Sequence, residues 1–435
     1  MVQNQVPLLR KPQFGLLLAT VAAASMWCYA GFILIPHQRS EAARNGTPRG
    51  NLSDLYPRWL GTRELLLHGR DPYSHEITRE IQAGYYGRLL DPNRASDPKD
   101  QQGFAYPVYV VFVLAPSIRL PFSVVQSAFR LLLVLLTIAS VYLWLQALGW
   151  QLSVPWKLTL IILALGSFPA LQGIKLQQLT LLVCGLLAGC AAAIASGHLV
   201  IAGFLLGVAT IKPQLAAIFA GWLMLWTFGS WRKRQSLLWS FAATMVILVL
   251  GGEALLPGWI GRFRNAANAY WQYTGGGKSV LDLVLGPLAG KIVAGILVLV
   301  LAGYCWRARS ASAEGVEFRW TLALVCAVTL VVIPTYAPYN QLLLLLPLMA
   351  VAESAPFIAA KGTAARLLLM LAALSVLWPW LAALALCAVL PLLGSETVQH
   401  AWAVPLYTSL YIPLTVLGAT WIGAAAARPR TRHAG

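Results

Sequence analysis

Apolar runs of about 20 residues recur along the whole chain, and they restrict its fold more than any other feature. A helix of that length crosses the roughly 30 Å hydrocarbon core of a bilayer. Hydrophobic residues make up 58% of the 435 residues and charged residues only 11%, which leaves little polar surface for contact with water. The sequence therefore predicts an all-α polytopic membrane protein.

The apolar runs predict about 12 transmembrane helices, with a range of 10–13, in a single transmembrane domain over residues 1–435. The predicted spans are residues 14–36, 122–148, 156–171, 178–196, 199–211, 214–228, 235–256, 280–306, 319–334, 339–355, 365–391 and 404–427. Several of them are short, which is typical of tilted or broken helices. Residues 104–121 are apolar but too short for a full span, so we expect a re-entrant or surface helix there.

Lysine and arginine lie mainly in alternate loops, and this asymmetry predicts the orientation. A cytoplasmic N-terminus places 14 basic residues inside: Arg10, Lys11, Lys157, Arg232, Lys233, Arg234, Arg307, Arg309, Arg319, Lys361, Arg366, Arg428, Arg430 and Arg432. The short outside loops then hold only Lys175, Lys212, Arg262, Arg264 and Lys278. We therefore expect a multi-pass protein of the plasma (inner) membrane with both termini cytoplasmic. The net charge of +17 follows the same pattern, so we expect membrane lipids as partners and no nucleic acid.

The loop at residues 37–105 is long, lies outside in this orientation and holds nine of the 15 acidic residues. The nine are Glu41, Asp54, Glu64, Asp71, Glu76, Glu80, Asp91, Asp97 and Asp100. A loop of this length is usually functional or disordered. We predict two helices in it, an amphipathic one at residues 54–68 on the membrane surface and a second at residues 74–89. Gly69 ends the first, and residues 70–73 (RDPY) form a turn.

Asp54 and Lys212 are the strongest candidates for chemistry. Asp54 is either a general base facing a cavity or an ordinary first-turn acid that favours the positive end of the helix dipole. Lys212 and Pro213 interrupt an apolar stretch, where a charge at the centre of a helix costs roughly 2.5–3.5 kcal/mol. Lys212 is therefore either a cation for a phosphate group or a lysine that extends from a helix end to the interface.

Three further polar positions fall on the same predicted face of the membrane. Lys175, in residues 172–178 (QGIKLQQ), is either a second cavity cation or part of an interfacial turn. Asp71 is either an acid or substrate-positioning group or the first residue of an Asx-type turn. Residues 336–341 (YAPYNQ) suit sugar hydroxyls and ring faces, and they equally suit an interfacial aromatic belt. Because all of these breaks share one face, we expect them to line one outward-facing cavity.

The sequence gives no sign of a metal or another cofactor. The six histidines are widely scattered along the chain, and the six cysteines lie within or at the ends of apolar runs without a CxxC pair. We therefore expect no metal site and no cofactor.

Taken together, these motifs resemble glycosyltransferase family 87. The resemblance lies in residues 54–60 (DLYPRWL), 69–73 (GRDPY), 106–107 (YP), 172–177 (QGIKLQ), 211–214 (IKPQ) and 339–341 (YNQ), and it extends over residues 14–350. Family members commonly have Tyr-Pro-Pro where this chain has Tyr106-Pro107-Val108, a departure that concerns the geometry of the segment closing the cavity.

The resemblance implies a GT-C-like bundle with a helical first extracytoplasmic loop, and an active site on the extracytoplasmic face. It implies a polyprenyl-phosphate sugar donor, often of mannose, and an acidic base in the first outer loop, a place that Asp54 occupies. We therefore expect inverting transfer of a hexose to a lipid or glycan acceptor. Lys212 and Lys175 are then expected to bind the donor phosphate. The expected substrate-binding residues are Asp71, Tyr73, Tyr106, Gln177, Tyr339, Asn340 and Gln341.

The alternative interpretation is a polytopic transporter or flippase of a lipid-linked sugar. Transporters typically contain internal repeats and bind their substrate near the bilayer midplane. No repeat is visible in this sequence, and its polar breaks lie near one predicted face, so we favour the transferase.

Overall fold

The computed structural model describes residues 12–47, 53–91, 93–273 and 276–427, and within them every regular element is a helix. The first half contains α1 (Pro12–Tyr29), α2 (Ile35–Arg44), α3 (Tyr56–His68), α4 (His75–Tyr86), α5 (Val111–Leu114), α6 (Phe122–Leu148), α7 (Val154–Leu165), α8 (Phe168–Leu176), α9 (Leu179–Ala195) and α10 (Leu199–Ala209). The second half contains α11 (Pro213–Phe228), α12 (Trp231–Leu255), α13 (Trp259–Tyr273), α14 (Val280–Leu285), α15 (Pro287–Ala308), α16 (Val316–Val332), α17 (Leu345–Ala359), α18 (Thr363–Leu393), α19 (Ser395–Gln399) and α20 (Tyr411–Ala426).

Among these residues, seven helical stretches are long and apolar enough to cross a membrane, or eight when the bent pair α7–α8 is taken as one span. The all-helical polytopic prediction agrees with this, whereas the count of 12 is not reached. The other four predicted spans form α9, α10, α11 and α16, which have 11–17 residues each. Polar breaks cut them short, because the chain turns at a glycine, lysine or proline before a full span is complete.

The first span is longer than predicted. A five-residue π-helical turn at Ala30–Leu34 joins α1 to α2, so one helical stretch of 33 residues runs from Pro12 to Arg44. Pro36 lies in the first turn of α2. A proline in the interior of a regular α-helix would lose a hydrogen bond and clash with the preceding turn, and the π turn just before it absorbs this mismatch.

The two helices predicted in the long loop exist, as α3 and α4. Gly69 ends α3 in the left-handed conformation, with φ of 65°. The Ser74 side chain begins α4 by accepting a hydrogen bond from the Ile77 N–H at 3.2 Å. The first helix is more buried in protein than a surface helix was expected to be, since seven of the 13 residues of α3 are buried. The helix packs inside the protein, with the Trp59 indole donating to the Ser117 carbonyl at 3.2 Å.

The segment Val108–Ser117 lies between the loop and α6 and agrees with the prediction that it does not cross the membrane. It is helical for ten residues, which gives a length of about 15 Å, half of what a span requires. Val108, Val110, Val111 and Leu114 are buried. The segment therefore packs against protein and connects the long loop to α6.

Polar groups lie at both ends of α11. α11 starts beside Lys212 and, after 16 residues or about 24 Å, ends beside Arg234. The Arg234 guanidinium donates to the carbonyls of Trp226, Arg309 and Ala311 at 2.7–2.9 Å. Arg234 and Arg309, both predicted to be cytoplasmic, therefore lie in one hydrogen-bonded cluster. The length of α11 separates this cluster from Lys212. The terminal residues Arg10, Lys11, Arg428, Arg430 and Arg432 lie outside the described residues.

Candidate active site

Asp54 lies immediately before α3 and is tied to the end of α8. Its main-chain N–H donates to the Leu176 carbonyl at 2.9 Å, and the Ser53 hydroxyl donates to the same carbonyl at 3.3 Å. Asp54 is half-buried, and its carboxylate accepts hydrogen bonds from the Tyr85 hydroxyl at 3.3 Å and from the side-chain amide of Gln178. Neutral donors from α4 and from the start of α9 thus orient the carboxylate.

Lys212 lies in the break between α10 and α11, where Pro213 begins the second helix. It is 5% exposed, and its ammonium donates to the Thr180 hydroxyl at 2.5 Å and to the Gln178 side-chain oxygen at 3.5 Å. The Tyr339 ring lies under the ammonium, with its centroid 5.0 Å away. Burial lowers the pKa of the Lys212 ammonium. Because its hydrogen-bond partners are neutral, an anionic ligand can pair with the ammonium without displacing a carboxylate.

One amide therefore joins the two principal candidates. The nitrogen of the Gln178 side chain donates to Asp54, and its oxygen accepts from Lys212. Beyond Lys212 the chain of hydrogen bonds continues, because the Thr180 hydroxyl donates to the Asn340 side-chain oxygen at 3.0 Å. The predicted proximity of Asp54 and Lys212 is thus present, through a glutamine at the start of α9.

A cavity of about 310 Å³ opens beside this chain. Its polar lining includes Arg58, Gln178, Lys212, Gln214, Asn268, Thr335 and Asn340, and its aromatic lining includes Tyr106, Phe263, Tyr270, Trp271 and Tyr339. Asp54 is one hydrogen bond behind the Gln178 wall rather than part of the lining. The combination of two cations, amides and aromatic rings can hold a phosphate together with a sugar.

Arg58 is a second cation at this cavity that sequence reasoning missed. Its guanidinium lies over the Tyr106 ring, 4.7 Å from the centroid, and donates to the main-chain carbonyl of Asp54 at 2.6 Å. Its Nε is buried and has no hydrogen-bond partner within the described part of the chain. The spacing Asp54–Arg58, one helical turn apart, was the available signal.

Asp71 and Tyr73 support the cavity from outside it. Asp71 accepts from the Tyr73 N–H at 2.9 Å, as in an Asx turn, and pairs with Arg262 of α13. The Tyr73 hydroxyl donates to the main-chain carbonyl of Tyr106 at 2.6 Å. Of these residues, Tyr106 alone contributes to the cavity wall, and the other two fix the loop that carries it.

The remaining predicted site residues make contacts elsewhere. The Lys175 ammonium donates to the Gln38 side chain of α2. Gln177, with φ of 48°, donates its amide to the Ile174 and Lys175 carbonyls at 2.6 and 2.8 Å and belongs to the turn. Gln341 donates to the Tyr336 hydroxyl and the Ser409 carbonyl, at 3.0 and 2.7 Å. The structure leaves these three outside the cavity that Lys212 lines.

Burial shapes the protonation of groups near Asp54. It raises the pKa of the Tyr85 hydroxyl well above its usual value, and the Asp54 charge adds to the effect, so the phenol stays a donor. Burial likewise raises the pKa of Tyr270 to about 12. It also raises the pKa of the Asp100 carboxyl in the loop before Val108–Ser117. Within residues 12–47, 53–91, 93–273 and 276–427, no group of three or more histidine, cysteine or carboxylate side chains is arranged so that it could hold a metal ion.

Comparison with known protein families matches residues 104–334 to the family described as Glycosyltransferase family 87. The matched stretch is more than half of the 435 residues and contains Tyr106, Gln178 and Lys212 of the cavity. No curated protein matches the chain. No solved structure matches it.

Proposed function

The chain belongs to glycosyltransferase family 87, and from that premise we propose that it transfers a hexose from a polyprenyl-phosphate carrier to a lipid or glycan acceptor. Mannose is the hexose we propose first. The transfer takes place on the extracytoplasmic face of the plasma membrane, both termini lie in the cytoplasm, and the anomeric configuration is inverted.

The observation that carries this proposal is the pair formed by Asp54 and Lys212 on either side of one amide. Transfer from a lipid phosphate requires a base for the acceptor hydroxyl and a positive charge for the leaving phosphate. Asp54 is half-buried and lies one hydrogen bond from Gln178 of the cavity wall. Lys212 and Arg58 bring two positive charges to the cavity wall. Asp54 can therefore serve as the base and Lys212 as the positive charge, and the Gln178 side chain contacts both.

In the proposed reaction, the Asp54 carboxylate takes the proton of the acceptor hydroxyl as its oxygen attacks the anomeric carbon from the side opposite the phosphate. The bond between the anomeric carbon and the phosphate oxygen breaks, and its electron pair stays on that oxygen. Polyprenyl phosphate leaves with one more negative charge, which Lys212 stabilises. The proton on Asp54 is then released to water, which restores the base.

Sugar recognition is assigned to the aromatic and amide groups of the cavity wall. Tyr106 and Tyr339 offer ring faces and hydroxyls, and Asn340 offers an amide that already accepts a hydrogen bond from Thr180. Asp71 and Tyr73 act through Tyr106 as positioning residues. We propose no metal requirement, because the two cations can balance a single phosphate group.

The proposed function is tested by reconstituting the purified protein in liposomes with a radiolabelled polyprenyl-phosphate mannose and a mixture of envelope lipid acceptors. We expect free polyprenyl phosphate to appear together with labelled glycolipid. A flippase would instead move intact donor between the leaflets, which an impermeant periodate treatment of exposed sugar detects. Intact donor that changes leaflet without cleavage would contradict the transferase, and cleavage of only a glucose or arabinose donor would correct the sugar.

A further inference from the structure

Gln178 lies between Asp54 and Lys212, and the roles proposed for those two residues do not explain why a glutamine is there. It is the residue before α9 and is 4% exposed at the cavity wall. Its main-chain N–H donates to the Gly173 carbonyl at 2.8 Å, so the turn from α8 fixes its backbone. Its side chain makes both contacts with charged groups, through the nitrogen to Asp54 and through the oxygen to Lys212.

A carboxamide is the neutral group that fits this position. An ionised carboxylate only accepts hydrogen bonds, and an ammonium only donates them. The amide presents a donor to the first and an acceptor to the second from one rigid plane. A hydroxyl would be too short to span both partners, and a second carboxylate would repel Asp54.

The amide also keeps two opposite charges apart. Without it, Lys212 would face Asp54 across a buried space, where opposite charges attract strongly. A direct ion pair would occupy the base and the cation at once, and both would be lost to the reaction. With the amide in place, Lys212 remains free to leave its long contact of 3.5 Å for a phosphate oxygen while Thr180 still holds it.

We propose that Gln178 is the positioning residue that separates the base from the phosphate-binding cation and stabilises the charged form of Asp54. This inference rests on the proposed glycosyl transfer and gives Gln178 a role that the chemical steps of that transfer do not by themselves require. Gln178 touches Asp54 and Lys212 rather than the reacting atoms, so its effect appears in the pH dependence and in the use of the donor.

Asp54 is surrounded by charged and titratable groups from several elements, and these set the background for any change at Gln178. They are Arg58 of α3, Tyr85 and Tyr86 of α4, Asp100 of the loop, Lys175 of α8, Lys212 before α11, Tyr270 of α13, and Tyr339 before α17. Substitution of Gln178 leaves all of them in the chain, so a shift in the pH profile reports the lost amide contact.

The test measures kcat and KM for the donor against pH in the full-length protein, reconstituted as above, for Gln178→Met and Gln178→Glu. Methionine keeps the length and removes both hydrogen bonds. We expect the acid midpoint of kcat/KM to move up by about one pH unit, because the carboxylate loses a donor. Glutamate adds a negative charge beside Asp54, so we expect a shift at least as large, together with a raised KM for the donor.

Gln177→Met is the matched control, since the neighbouring glutamine bonds to the Ile174 and Lys175 carbonyls instead. We expect it to lower thermal stability and to leave the acid midpoint in place. Midpoints of Gln178→Met and Gln178→Glu that equal the wild type would overturn the inference, even with reduced kcat. If methionine prevents folding, the isosteric glutamate variant decides the question. A wild type that cleaves no lipid-phosphate sugar would refute the proposed function instead.

Discussion

Replacing Lys212 by methionine tests whether the charge of this side chain serves the reaction or the stability of the fold. Lys212 is 5% exposed, and its ammonium forms no salt bridge within the described residues, where its partners are a hydroxyl, an amide oxygen and the Tyr339 ring. A charge in such surroundings loses hydration worth several kcal/mol. Methionine has a similar length and removes the charge, so folding should not suffer.

Activity should fall while stability is kept. A hydrogen bond from a charged donor contributes about 1.5–3 kcal/mol, so its loss from the leaving phosphate lowers kcat/KM for the donor by about 10- to 150-fold. Burying an ammonium that has no opposite charge beside it costs free energy, and methionine removes that cost. We therefore expect the melting temperature of Lys212→Met to equal or exceed that of the wild type.

The assay for Lys212→Met is initial-rate transfer from polyprenyl-phosphate mannose at several donor concentrations, combined with thermal unfolding of the same preparation. Lys175→Met is the control, since its ammonium contacts Gln38 and lies outside the cavity, and we expect a change in kcat/KM of less than about threefold. A Lys212→Met enzyme with wild-type kinetics and a lower melting temperature would refute the phosphate role and support a purely structural lysine.

The remaining predictions concern the base, the loop and the metal. Asp54→Asn should lower kcat by about 10²- to 10⁴-fold in the same transfer assay, whereas Asp71→Asn, which keeps the Asx turn and loses only the ion pair with Arg262, should stay within about tenfold of the wild type. Asp97, whose pKa is held well below its usual range by its hydrogen bonds with Arg88, adds stability above its unfolded pKa and loses it as the pH falls through its folded pKa. Asp97→Asn should therefore lower the melting temperature at pH 7, and the deficit should shrink towards pH 3; an equal deficit at both values would exclude the ion pair as its cause. Transfer should persist after exhaustive EDTA treatment, and loss of activity that only a divalent cation restores would contradict the metal-free reaction.

Helix ends were predicted correctly where a proline, glycine or serine next to the helix determines them. The span 122–148 coincides with α6, which begins after Pro121 and ends at Gly149. The Gly69 stop of α3 and the Ser74 start of α4 also follow from local chemistry. Hydropathy alone failed where backbone geometry intervenes. Residues 280–306 look like one run, yet Gly286, with φ of 85°, divides them into α14 and α15.

The candidate site was predictable in its charged members and not in its neutral ones. Charges in apolar surroundings are conspicuous, so the sequence pointed to Asp54 and Lys212. Gln178 is inconspicuous beside Gln177, because nothing local says which of two neighbouring amides turns towards the cavity. Its contact with Asp54 joins residues 124 positions apart, and only tertiary packing creates it. The burial of α3 was missed for the same reason, since its partner surface comes from Val108–Ser117 and α6.

The most direct test of the central claim is an experimental structure of the protein in lipid nanodiscs, with polyprenyl phosphate and a lipid acceptor bound. We predict a phosphate oxygen about 3 Å from the Lys212 ammonium, and the acceptor hydroxyl at a similar distance from the Asp54 carboxylate. A phosphate bound at the opposite end of α11, beside Arg234 and Arg309, would contradict the account.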